Sequence, residues 1–325
     1  MSGLTLTIIT SEASSLNYGE NVGNVSVLKK VSLGNGDQIT YVSDKALKYD
    51  IKRKGKQEKG WKLLDKTLQK YIKGNLKDGK LDVDSFGKQL VKEYEEFDLF
   101  GGLFTNLKLD KKVNLSYGDS VKRTSPVKIT YAFSLAPFKG DMNFLNNIDA
   151  FNRYIKHIEE KGEQVIAYSE EHRSHYVYTV TVDLDRVGVW EGEEEVFDEL
   201  TAQEKAKRVK DLLDILMRLD RQIRGRWENL SPVFVIGGVF KTKHPFFMDS
   251  VDAKQVSEGK LLLNVERLKE AIEFIPQEER ENIVLGIQSG VFLNEQDIRE
   301  VFKASSVAKA FEKIKEGVDK HYENS

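Results

Sequence analysis

At 325 residues the chain is long enough to bury a full core without metal or disulfide staples. It has no cysteine, which excludes thiol catalysis, cysteine-held zinc or iron–sulfur centres and disulfides, and suits a reducing cytoplasm. A formal net charge of −2 excludes a protein that coats duplex DNA with its whole surface, so any nucleic-acid site must be local.

The stretch from Met1 to Thr10 carries no basic leader, and nowhere do 18 apolar residues run without a charge, so the reading is a soluble, untargeted, cytoplasmic protein with no membrane partner. Leu4 to Thr10 alternates apolar and Thr residues, the period of a half-buried strand, and enters a polar loop from Ser11 to Asn24. Val25 to Val31 predicts a second strand, Gly34-Asn35-Gly36 a turn, and Ile39 to Val42 a short third strand. Ser43 is placed to cap a helix containing Ala46, Leu47 and Ile51. On that helix Lys45, Lys48 and Lys52 recur every three or four residues, so their ammonium groups share one face, able to follow phosphates or simply to meet water.

Charge is unevenly spread. Lys45 to Lys80 holds thirteen Lys and Arg against four acids, whereas Glu191 to Glu204 holds seven acids and no base. Such runs are often no more than solvated faces.

Helical spacing in Trp61 to Ile72 and Phe86 to Phe97 predicts a helical insertion over residues 55–97. Asp98 to Phe104 breaks it, Leu107 to Tyr117 reads as a hairpin, and Arg123-Thr-Ser-Pro126 leads into a strand from Val127 to Leu135, so residues 98–126 form an extended arm. Met142 to Lys161 predicts a helix, and Gln164 to Tyr168 pairs with Tyr176 to Leu184 through a turn at Glu170 to Arg173. Thr201 caps a long helix reaching Gly225; Pro232 to Phe240 is a buried strand leading to a basic loop through Lys241, Lys243 and His244. Val265 to Phe274, Ile283 to Ile287 and Gln296 to Tyr322 supply a helix, a strand and a final helix. With no linker and no repeat, residues 1–325 read as one elaborated α+β domain.

Enzymatic signals are thin. His172 and His175 have no third His and no Cys nearby and read as exposed loop histidines. Gly286-Ile-Gln-Ser-Gly290 puts Ser289 one place late for a nucleophile elbow, so Ser289 reads as a strand-end turn residue. Asp183 and Asp185 form a D-x-D pair that would suit a divalent ion, but beside Arg186 they read as a charged strand end. The pairs Gly101-Gly102 and Gly237-Gly238 lack nucleotide-loop spacing but allow close backbone approach to RNA or another subunit. Single-stranded RNA is held by Lys and Arg on phosphates, by amides at Gly turns and by aromatic platforms; Tyr18, Phe100 and Phe104 lie near basic groups. No cofactor is called for. Three classes stay open: an RNA-binding subunit, a metal-dependent ribonuclease using Asp183, Asp185 and His172, and a protein-interaction or regulatory module docking through the acidic stretch 191–204.

Several linked runs carry a resemblance: L-T-L-T-I-I-T, S-L-N-Y-G-E-N-V-G-N-V-S-V-L-K-K, Y-V-S-D-K-A-L-K-Y-D-I-K-R, D-L-F-G-G, R-T-S-P-V-K-I and V-D-L-D-R-V-G. Together they resemble the DevR-type backbone subunit, of the Cas-seven superfamily, in type I CRISPR Cascade, with I-B the nearest subtype. The resemblance implies a modified RRM-like (ferredoxin-like) palm with a helical insertion and a thumb β-hairpin over 98–126. It implies partners too: a CRISPR guide RNA (crRNA), copies of the chain stacked along it, other Cascade subunits, and a target DNA strand reached through guide pairing. Carried over by residue, it makes Ser43, Lys45 and Lys48 part of a guide-phosphate helix with Lys52 on the same face. It sets Asn17, Tyr18, Asn24, Ser26 and Lys29 in a loop near the RNA, and Phe100, Gly101, Gly102 and Arg123 beside the thumb. Relatives in type III complexes cut RNA with a loop aspartate and a divalent ion. Here the loop has Glu12 and Glu20 and no Asp, which favours a non-catalytic subunit.

Overall fold

Leu4, Leu6 and Ile8 alternate with Thr5 and Thr7, so the first strand, β1 (Gly3–Thr10), has an apolar side and a hydroxyl side. Both are buried, because the strand lies inside the main sheet. In the computed structural model, which describes residues 2–77, 80–104, 108–110, 113–114, 120–146, 149, 152–154, 166–192, 195–256 and 259–324, that sheet has eight strands. After β1 come β2 (Lys30–Ser32), β3 (Gln38–Val42), β4 (Val127–Ile129), β5 (Ala132–Ser134), β6 (Tyr176–Asp183), β7 (Pro232–Phe240) and β8 (Val284–Ile287). Their spatial order is β8-β7-β1-β6-β5-β3-β2, with β4 also on β6, and every pairing is antiparallel. The molecule is a mixed α+β protein.

The helices are α1 (Asp44–Lys59), α2 (Leu68–Gly74), α3 (Val83–Glu93), α4 (Glu95–Phe100), α5 (Ala202–Met217), α6 (Val265–Glu273), α7 (Glu295–Phe302) and α8 (Val307–Glu323). On one side of the sheet Leu4, Leu6, Val180 and Val182 meet Leu47 and Ile51 of α1, Leu212 and Leu216 of α5, and Phe311 and Ile314 of α8. Each such side chain contributes about 1.5–3 kcal/mol by leaving water. On the other side Ile9, Phe234, Ile236 and Phe240 pack against Phe247, Leu261, Leu268 and Ile298, which closes that face only over its β7–β8 half. A third cluster, Phe86, Leu90, Phe97 and Trp190, holds α3 and α4 together beside the main sheet.

The structure corrects several expectations. Met142–Asn146 is a strand, not the start of a helix; it pairs with Ile166–Glu170, which runs parallel to Val25–Leu28 in a separate four-stranded sheet completed by Tyr18–Val22. Much of the remaining helix expected to Lys161 lies outside the described residues. Ile166–Glu170 does not pair with β6, whose partners are β1, β4 and β5. The expected strand from Val25 to Val31 divides between that small sheet and β2. The helix from Thr201 ends at Met217, because Asp220–Ile223 and Arg226–Asn229 form a hairpin turning at Arg224-Gly225. The last helix is two, broken at Lys303 in left-handed backbone (φ 51°). In the arm, Gly102–Phe104 pairs with Val121–Arg123 and Lys108–Asp110 with Val113–Asn114; the ends of the expected hairpin, Leu107 and Tyr117, lie outside the described residues.

His172 and His175 are buried, not exposed, because Arg173–Ser174 pairs with Ala13–Ser14 and draws the segment inward. His172 Nδ1 lies 2.8 Å from Thr40 Oγ1, and His175 Nδ1 lies 2.8 Å from the Thr10 carbonyl.

The arm is rooted by one carboxylate. Asp98 is fully buried; Arg123 Nη2 donates to it at 2.6 Å, Arg208 Nη1 of α5 at 2.7 Å and the Gly188 amide at 2.9 Å. Arg123 also donates to the carbonyls of Asp98, Val189 and Arg186. Burial pulls its pKa down, and the neighbouring Asp98 opposes that pull.

Removing the carboxylate in Asp98→Ala strands two guanidinium groups and should destabilise the fold by about 3–5 kcal/mol, read as a lower urea midpoint. A shift below about 1 kcal/mol would show that the triad does not hold the arm. Burial lowers the pKa of His172 and of His321. The unfolded chain therefore takes up these protons first, and stability should fall as pH drops below the unfolded value of about 6.5. Urea midpoints at pH 7.5 and pH 5.5 test this: the second should be lower, with a smaller gap in His172→Gln. Equal midpoints would contradict it.

Candidate nucleic-acid interface

The helix that follows β3 begins where the sequence places its cap. Ser43 Oγ accepts from the Ala46 amide at 3.4 Å, and the Ser43 amide donates to Asn17 Oδ1 at 3.0 Å, so the loop after β1 is tied to the first turn of α1. Asn17 also accepts from the Lys29 amide through its carbonyl at 2.9 Å. These contacts bring Asn17, Lys29, Ser43, Lys45 and Lys48 into one region.

The basic residues of α1 separate by face. Asp50 accepts from Arg221 at 2.5 Å, Asp220 accepts from Arg53 and, at 2.6 Å, from Lys54, and Lys59 reaches Asp214. Those inward charges fasten the helix to the 220–229 hairpin and α5. The outward face carries Lys45, Tyr49 and Lys56, all exposed. Lys48 folds back on Asp44 at 3.4 Å in a half-exposed pair, a contact worth only a few tenths of a kcal/mol. Lys52, expected on the same stripe, turns to Glu96 of α4 at 2.8 Å. The periodicity is right, but tertiary partners take one of its three lysines.

Other residues singled out from sequence are placed as follows. Tyr18 is half-buried, its hydroxyl donating to the Glu170 carbonyl at 3.1 Å, with the Arg224 guanidinium 3.8 Å over its ring. Ser26 donates to Asn21 at 2.8 Å, and Asn24 is exposed at the rim of the small sheet. Phe100 packs half-buried, 6.3 Å from Trp61. Arg123 is interior, so its guanidinium holds the arm and does not face solvent. The glycine pairs serve the chain's own packing. A Cβ on Gly101, at φ +70°, would meet the Arg123 carbonyl at 2.4 Å; one on Gly237 would meet the Thr5 carbonyl at 2.0 Å, and one on Gly238 the Asn282 carbonyl at 2.2 Å.

One surface went unread in the sequence. Where no helix of the described residues covers the far side of the sheet, Tyr41 of β3, Phe133 of β5 and Tyr131 just before it cluster: Tyr41 and Tyr131 stack at 5.1 Å and 10°, and Phe133 lies 6.0 and 6.2 Å from them. Lys128, exposed, stands on the same side, since it pairs with Thr181 as Phe133 pairs with Val177. Alternation through 127–135 could have found Lys128 and Thr130. The break between β4 and β5, which brings Tyr131 to their side, has no signal of its own.

The carboxylates weighed for a metal are already neutralised. Lys243 Nζ lies 2.6 Å from Asp183 Oδ1 and 3.0 Å from Asp185 Oδ2, placing an ammonium where a divalent ion would sit. Among the described residues no group of three or more His, Asp or Glu could hold a metal ion. Ser289 is a turn residue, accepting from Arg299 at 3.0 Å. In the acidic stretch Glu191 pairs with Arg186 at 2.6 Å, Asp198 with Lys205 at 2.7 Å, and Glu204 closes a capping box with Thr201. Among the described residues no helix is long and apolar enough to cross a membrane.

No curated protein matches the chain. Among solved structures it is similar to a chain of a "CRISPR RNA-guided surveillance complex, pre-nicking", with a TM-score of 0.57 and 11% identity over 99% of both chains. It is also similar to a chain of a "CRISPR RNA-guided surveillance complex", with a TM-score of 0.52 and 14% identity over 99% of both. At these identities the likeness is one of fold. The family model described as "CRISPR-associated negative auto-regulator DevR/Csa2" matches residues 6–259, most of the sequence, and the chain therefore belongs to the DevR/Csa2 family.

Proposed function

We propose that the chain is a non-catalytic backbone subunit of a CRISPR surveillance complex, binding the guide RNA through its phosphates and lining up in several copies along it. In this reading the main sheet with α5 and the first turns of α1 is a modified RRM-like palm, residues 55–97, from the end of α1 onward, are its helical insertion, and 98–126 are a thumb. Other Cascade subunits and, through guide pairing, a target DNA strand complete the assembly in the cytoplasm. The observation that carries the reading is the sorting of charge on α1. Arg53, Lys54 and Lys59 are consumed by Asp220 and Asp214, while Lys45 and Lys56 stay exposed and Lys48 is held only by Asp44.

Cations left exposed and unpaired in this way are available to phosphates of a single strand. The family membership and the fold shared with chains of RNA-guided surveillance complexes point the same way. The Lys243 bridge across Asp183 and Asp185 favours a binding role over metal-assisted cleavage.

Light scattering after size exclusion, on protein alone and with guide-length single-stranded RNA, should give salt-sensitive, length-dependent assemblies on intact RNA with Mg²⁺ or Mn²⁺ present. Cut RNA would move the assignment to a nuclease. Lys45→Glu with Lys48→Glu should weaken binding uniformly across sequences and flatten the log–log salt slope by about 0.7 for each phosphate no longer neutralised. Unchanged affinity at moderate salt would remove α1 from the site.

A further inference from the structure

We propose that the part of the main sheet that no described helix covers, on the side opposite α1, is a stacking platform for an unpaired base of single-stranded nucleic acid, with Tyr131 as the surface and Lys128 as the phosphate contact. The proposal rests on the RNA-binding reading and adds to it a second contact surface.

One aromatic ring of this surface has no burial to explain it. Tyr131 is 45% exposed although it sits on a sheet strand's margin. Aromatic cross-strand pairs stabilise sheets by burying each other, and here one partner is left half in water. Tyr41 lies parallel beneath it at 5.1 Å, and Phe133 wedges against both, so the ring is held in one orientation before any ligand arrives. A fixed, exposed π-face is what a nucleobase of any sequence can use.

Lys128, Thr130 and Thr181 share the wall of a cavity of about 300 Å³ with Asp183, Lys243 and the apolar Ile129. Thr130 is already engaged, its hydroxyl donating to the Tyr131 carbonyl at 3.1 Å and accepting from the Thr179 amide at 2.9 Å, which locks the β4–β5 break that aims Tyr131. Lys243 is neutralised by Asp183 and Asp185. That leaves Lys128 as the cation of this surface with no ion pair among the described residues, and the Thr181 hydroxyl beside it able to meet a ribose or a phosphate. A ring to stack on, an ammonium and a hydroxyl match one nucleotide better than they match an apolar protein surface.

Tyr41 faces the side opposite α1, Val42 the helix side, and Ser43 caps α1, so Tyr131 and Lys128 form a contact surface on the other face of the sheet from the exposed lysines of α1.

The test is fluorescence anisotropy with 5′-labelled oligouridine and oligoadenosine of guide length, using wild type, Tyr131→Ala, Tyr131→Phe, Lys128→Ala and the Lys45→Glu/Lys48→Glu pair. Circular dichroism checks each fold. Tyr131→Ala should weaken binding about ten-fold on both RNAs, within the range for removing one stacked base, while Tyr131→Phe stays near wild type. Lys128→Ala should reduce the salt slope by about 0.7, the share of a single phosphate. If Tyr131→Ala binds like wild type while the α1 pair loses affinity, the platform proposal is wrong and the subunit reading stands. If Tyr131→Ala keeps RNA binding but loses assembly into larger species, the surface belongs to a protein contact and the proposal is overturned. If wild type binds neither RNA, both readings fall.

Discussion

The Asp98 carboxylate, buried between two guanidinium groups, is the interaction on which the placement of everything beside the main sheet depends. Arg208 brings α5, Arg123 brings the returning strand of the arm, and the Gly188 amide brings the segment after β6, all to the two oxygens of one side chain. Moving three charges out of water costs several kcal/mol per ion, and the geometry offsets that cost only while every donor is in place. The ladder of Gly102–Phe104 with Val121–Arg123 is therefore fixed relative to α5 and the segment after β6.

A second consequence of charge pairing is that α1 is held hard on one side and left free on the other. Asp50, Asp220 and Asp214 take up the inward cations, so the helix cannot roll to offer them outward. Seven acids in the stretch 191–204 look like a docking surface in sequence, yet Glu191, Asp198 and Glu204 are engaged with Arg186, Lys205 and the Thr201 cap.

Elements whose signals are local were legible. The alternation of β1, the Ser43 and Thr201 caps, and the apolar run of β7 all stand where residue type alone puts them. Readings that depend on a distant partner did not transfer. Met142–Asn146 has helix-tolerant residues but is drawn into a ladder with Ile166–Glu170. His172 and His175 look like loop residues until Arg173–Ser174 pairs with Ala13–Ser14, far earlier in the chain. The placement of Ser43, Lys45 and Lys48 at the start of α1 was readable because cap and helical period fix their neighbours. Lys52 and Arg123 were not assignable to a surface, since Glu96 and Asp98 decide their direction. The aromatic cluster of Tyr41, Tyr131 and Phe133 comes from chain segments meeting through a strand break, which no spacing rule encodes.

The borders of the main sheet limit what backbone pairing can add to it. Its β2 edge is a strand of only three residues, Lys30–Ser32. Its β8 edge is already met by the segment at Ser305, which exchanges backbone hydrogen bonds with Leu285 and Ile287 at 2.9 and 3.0 Å. Neither border offers a long row of free amides and carbonyls as a template for an added strand. Hydrogen bonding along this sheet is thus largely satisfied within the chain, and its borders resist extension by a foreign strand.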